Sequence, residues 1–113
     1  MIKIKRVYEP ASDSDGYRVL VDRVWPRGIR REAVDHWMKD IAPSADLRKW
    51  FGHAPERWPS FRDRYRKELS LKSDLLEELR HLERAHGTLT LVYGARDTER
   101  NQAVVLKGVL ADR

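Results

Sequence analysis

The chain has 113 residues, enough for one domain with a buried core and no covalent staple. Its 23 basic and 18 acidic side chains leave a formal charge of +5, a mild excess that points toward an anionic ligand. There is no cysteine, which excludes disulfides, thiolate catalysis and thiolate metal sites. No window nears the roughly 18 apolar residues of a membrane span, and MIKIKRVYEP lacks the apolar stretch of a secretory leader, so a cytoplasmic protein with no membrane partner is expected.

The first strand is read in IKIKRVY, where Ile2 and Ile4 share one face. Pro10 to Gly16 is a loop of turn residues. The second strand is YRVLVDRV, whose Val19-Leu20-Val21 run suits a strand covered on both faces. Four helices are expected next. In Glu32 to Ile41, Val34, Trp37, Met38 and Ile41 fall at i, i+3, i+4 and i+7, the pattern of one helix face. Ser44 caps a short second helix with Leu47, Trp50 and Phe51 inward, closed by Gly52. Pro55 opens a third, with Trp58, Phe61, Tyr65 and Leu69 spaced as one face. The fourth runs from Ser73 to His86 with a leucine face and Gly87 as its stop. Thr88 to Gly94 is the third strand, and NQAVVLKGVLADR the final helix, with Asp97 or Thr98 as its N-cap. The expected fold is α/β over residues 1–113, a small, mainly parallel three-stranded sheet with helices packed against it, in the order β-β-α-α-α-α-β-α.

Ligands of open α/β sheets bind beyond the carboxyl ends of the strands. The second strand ends in Asp22, Arg23, Trp25, Pro26, Arg27 and Gly28, and the third in Tyr93, Gly94, Arg96 and Asp97. With the strands parallel and adjacent, these segments meet. The expected pocket is walled by Asp22, Arg23, Trp25, Arg27, Tyr93, Arg96, Asp97 and Asn101, with His53 as a further ligand-binding residue. Arg27 and Arg96 would grip one anionic group, since a guanidinium fork suits carboxylate and phosphate. Asp22 would hold a guanidinium in place and is the candidate for acid–base catalysis. His36, His53, His81 and His86 form no i, i+4 pair, so no metal site is assigned and the cofactor is unknown.

RVLVDRVWPRG, WMKDIAPSADLRKWFGH, RWPSFRDRYRKEL and LTLVYGARDTERNQAVVLK together resemble the YeaO-like family of bacterial domains of unknown function. The resemblance covers nearly the whole chain and implies a compact α/β domain with no established activity. Members often carry histidine in the run that reads Asn101-Gln102-Ala103 here. Gln102 does not titrate near neutral pH, which weakens any mechanism needing an imidazole there. The leading reading is a small-molecule or anion-binding protein, its status as an enzyme open. The alternatives are a nucleic-acid module using the basic helix 56–69, and a subunit-interaction domain built on exposed tryptophan.

Overall fold

The computed structural model describes residues 1–112. Four parallel strands, β1 (Ile2–Arg6), β2 (Tyr17–Leu20), β3 (His36–Trp37) and β4 (Leu89–Tyr93), form one sheet in the order β1-β4-β2-β3. Four α-helices accompany it: α1 (Ala45–Phe51), α2 (Trp58–Ser70), α3 (Ser73–His86) and α4 (Gln102–Ala111). β2 and β4 are parallel neighbours, with Val19 beside Leu91 and Leu20 beside Val92. The long helical connection between them predicts this pairing.

The sheet has four strands rather than three, because Glu32 to Ile41 is not a helix. The segment forms a 3-10 turn at Arg31–Ala33, then β3, then a 3-10 turn at Lys39–Ile41. β2 would otherwise leave an open edge of unpaired backbone groups. Asp35 N–H donates to the Arg18 carbonyl at 2.9 Å and Met38 N–H to the Leu20 carbonyl at 2.9 Å, while the Asp35 carboxylate accepts from Arg18 N–H at 2.9 Å. The observed order is therefore β-β-β-α-α-α-β-α.

Alternation of side chains along each strand gives the sheet two different faces. On one, Val19, Val21, Leu89, Leu91 and Tyr93 join Phe61, Tyr65, Leu69, Leu79 and Leu106 from the helices. On the other, Val7, Leu20 and Val92 are covered by Trp25, Ile29 and Val34 from the connection after β2 and by Trp37 of β3. Beside that second cluster lies a buried ion network. Asp15 bonds Arg18 at 2.6 Å and Lys5 at 3.1 Å. Burial pushes the Asp15 carboxyl up, but bonds from Ser12, Lys5 and Arg18 outweigh it and hold the group below its usual range.

The helix ends follow their sequence signals. Ser44 Oγ accepts from Leu47 N–H at 3.1 Å, and Gly52 closes α1 in the left-handed conformation at φ 51°. Pro55 opens a 3-10 turn that leads into α2. The N-cap of α4 is Asn101, not Asp97 or Thr98: its side-chain oxygen accepts from Val104 N–H at 3.1 Å. Asp97 instead closes a tight turn, accepting from Glu99 N–H at 2.9 Å and Arg100 N–H at 3.0 Å.

Candidate functional site

A cavity of about 230 Å³ opens at the carboxyl ends of β2 and β4. Asp22, Arg23 and Val24 line it from the end of β2, and Gly94 and Ala95 from the end of β4. Arg48, Phe51 and His53 come from α1 and the turn after it, Phe61 from α2, and Arg100, Asn101 and Gln102 from the start of α4.

Asp22 is the most constrained group. Its backbone carbonyl accepts from Trp37 Nε1 at 2.7 Å. One carboxylate oxygen accepts from Gly94 N–H at 2.9 Å, and the other from the Gln102 amide. Burial pushes the carboxyl up to about 6 against the opposing pull of the Gly94 and Gln102 donors and the Arg48 cation. Gly94 permits this approach: a Cβ there would sit 2.9 Å from Asp22 Oδ2.

The three arginines of the cavity differ in how far they are committed. Arg23 does not pair with Asp22. Its Nε donates to the Pro43 carbonyl at 2.9 Å and its Nη2 to the Ala42 carbonyl at 3.1 Å. Lys72 Nζ reaches the Asp40 and Ala42 carbonyls at 2.6 and 3.1 Å, and Tyr65 Oη the Ile41 carbonyl at 2.7 Å. Every carbonyl from 40 to 43 thus has a donor, which fixes the entry to α1. Arg100 is held by the Asp97 carboxylate at 3.3 Å. That carboxyl lies below its usual range because it accepts the Glu99 and Arg100 N–H groups. Arg48 forms no ion pair among the described residues.

Of the residues expected at the site, Asp22, Arg23, His53 and Asn101 line the cavity, whereas Trp25, Arg27, Tyr93, Arg96 and Asp97 do not. Trp25 folds back over the second sheet face, with Nε1 donating to the Ile29 carbonyl at 2.8 Å and its ring edge-on to Trp37 at 5.3 Å. Pro26 is buried against Gly94, and Arg27 is exposed, its carbonyl accepting from Tyr8 Oη at 2.9 Å. Beyond Val24, which lines the cavity, the WPRG segment therefore turns away from it, with Trp25 laid over the second sheet face. Tyr93 is buried in the helix-facing core, which pushes its phenol up. Arg96 is exposed like Arg27, neither lines the cavity, and the Asp22 carboxylate bonds Gly94 and Gln102 instead of either. His53 lies beyond the helix end at φ 58°, a left-handed position rare for a side-chain-bearing residue. The Asn101 side chain is committed to Val104 N–H and the Asp97 carbonyl.

Arg48, Arg100 and Gln102 complete the lining without having stood among the expected site residues. Arg100 carried a signal, as a cation beside the expected helix start. Gln102 stood out only as an amide where the resemblance has histidine. Arg48 lies on the outer side of a short helix and is exposed, and only the placement of α1 over the strand ends brings it to the cavity wall.

The tryptophans are half-buried rather than exposed. Trp50 lies beneath two cations of the basic segment, Arg64 at 4.2 Å and Arg57 at 5.3 Å from the ring centroid. Arg66 faces Asp112 at 3.6 Å. No helix among the described residues is long and apolar enough to cross a membrane.

The DUF488-N3i profile, described as the inactive DUF488-N3 subclade, matches residues 1–113. An uncharacterised protein of Mycobacterium tuberculosis, strain H37Rv, is 45% identical over 114 residues, covering 99% of this chain and 95% of its own. The uncharacterised protein YeaO of Escherichia coli K12 is 45% identical over 107 residues, covering 93% of this chain and 92% of its own. No solved structure matches the chain. With its whole length matched by the profile and more than nine-tenths of it by relatives of similar size, the chain belongs to the DUF488-N3i family, the YeaO-like proteins of unknown function.

Proposed function

We propose that residues 1–113 act as one cytoplasmic binding domain that takes a small anion-bearing metabolite in the cavity at the strand ends. The observation that carries this reading is Arg48: an exposed guanidinium on the wall of a concave site, open to a ligand and with no carboxylate partner among the described residues. A cation of that kind at the rim of a partly apolar cavity is a docking point for phosphate or carboxylate. Arg100 adds a second positive charge, and Arg23 holds the neighbouring wall in place. Any acid–base step at the site would fall to Asp22, whose carboxyl titrates near the working pH. The description of the subclade as inactive favours binding without turnover.

The test is a thermal-shift series with orthophosphate, malonate and citrate at fixed ionic strength. Saturation at about 100 times the dissociation constant stabilises the fold by about 2.7 kcal/mol. Arg48→Gln should abolish the gain and leave the melting temperature without anion unchanged. A gain retained in Arg48→Gln, or no gain with any anion, contradicts the reading. The basic helix carries no comparable argument for nucleic acid, since Arg57, Arg64 and Arg66 are engaged with Trp50 and Asp112.

A further inference from the structure

We infer that the cavity takes a small zwitterion, with its nitrogen cation against Asp22, its oxyanion against Arg48, and an apolar spacer on Phe51 and Phe61. This names the ligand class of the anion site proposed above and rests on that reading.

The lining groups are not all satisfied. A carboxylate has about four acceptor positions. Asp22 fills two, with Gly94 N–H and the Gln102 amide, and retains acceptor capacity on a residue that lines the cavity. No lining cation fills it: Arg23 is spent on the carbonyls of Ala42 and Pro43, and Arg100 pairs with Asp97. Arg48 contributes only its longer-range attraction to Asp22. Among the described residues, the cavity therefore presents one under-used carboxylate and one exposed guanidinium without an ion pair.

An anion alone satisfies Arg48 but leaves the Asp22 charge facing like charge in a partly desolvated space, which is costly. A cation alone meets Asp22 but leaves the exposed Arg48 guanidinium to water, with its attraction for an anion unused. A ligand carrying both charges meets both needs. Phe51 and Phe61, stacked at 4.4 Å, provide an apolar surface within the same lining. The volume of about 230 Å³ suits a molecule smaller than typical drug-sized ligands.

The two ligand types differ in the sign of their pH dependence. The groups around Asp22 are Gly94 N–H from the end of β4, Gln102 from α4, Arg48 from α1, and Arg23, His53 and Arg100 along the lining. A zwitterion needs Asp22 ionised and binds more tightly as the pH rises through the titration of that carboxyl. A plain anion favours the protonated form and binds more tightly as the pH falls.

The experiment is calorimetric titration of the full chain with β-alanine, γ-aminobutyrate and phosphoethanolamine. Each is compared with its analogue lacking nitrogen (propanoate, butanoate, ethyl phosphate) and with the amine lacking the anion. The expected result is that one zwitterion binds at least about tenfold more tightly than both of its analogues. For β-alanine or γ-aminobutyrate, whose own charges do not change in this range, affinity should also rise between about pH 5 and about pH 7, with the same slope in His53→Gln. Asp22→Asn should erase the advantage over the anion, and Arg48→Gln the advantage over the amine. If anion and zwitterion bind equally, or binding tightens as the pH falls, the zwitterion inference fails while the anion site stands. If neither zwitterions nor anions bind, both fail.

Discussion

Replacing Asp22 with asparagine should remove a specific pH dependence of stability. In the folded chain this carboxyl titrates at about 6, against 3.8 for the ordinary group. The difference is roughly two units at about 1.36 kcal/mol each, or about 3 kcal/mol. The folded state holds the proton more tightly than the unfolded state. The contribution of Asp22 is therefore neutral below the ordinary value, and stability is lost as pH rises from 3.8 to about 6. Asp15 and Asp97 are held below their usual range and act in the opposite direction at lower pH, but they are common to both proteins and cancel in the difference. Asparagine preserves the shape of the site: its oxygen can accept from Gly94 N–H and its amide can donate to a rotated Gln102. Urea unfolding at a series of pH values is the assay. The stability of Asp22→Asn relative to wild type should rise by about 2–3 kcal/mol between about pH 4 and about pH 7. A difference independent of pH would refute the burial argument, and one that falls with pH would reverse its sign.

Three further outcomes follow from particular contacts. Gly94→Ala places a Cβ 2.9 Å from Asp22 Oδ2, so it should cost about 1–3 kcal/mol in urea unfolding and displace the carboxylate. Trp37→Phe removes the donor to the Asp22 carbonyl and should lower stability by about 1 kcal/mol while keeping the ring packed. Leu79, fully buried in the helix-facing core, should cost about 2–5 kcal/mol when cut to alanine, measured by its denaturation midpoint.

The elements that sequence reasoning located have local causes. α1 is bounded by Ser44 and Gly52, whose capping roles need no tertiary context. α3 has a leucine face and a glycine stop. The Glu32–Ile41 segment shows how the same reasoning fails. Val34, Trp37, Met38 and Ile41 have helical spacing, yet Val34 and Trp37 serve one face of the sheet while Met38 and Ile41 serve the other. Neighbours on opposite faces are the mark of a strand, and a two-residue strand is too short for alternation to register. The candidate site was legible where the strand end alone determines it, at Asp22 and Arg23. Arg27 and Arg96 obey the strand-end rule in sequence, but the buried Pro26 and the inward Trp25 turn the first loop away. Arg48 is brought to the site by the packing of α1, a relation between elements distant in the chain.

Docking of a small anion at Arg48, beside the strand ends, can be followed in the backbone amide and arginine Nε signals by NMR as orthophosphate is added at constant ionic strength. Saturable shifts are expected at Gly94, Ala95, Arg100, Gln102 and the Nε of Arg48 and nowhere else. Shifts spread along the basic face of α2, or no saturable shift at Arg48, would contradict it.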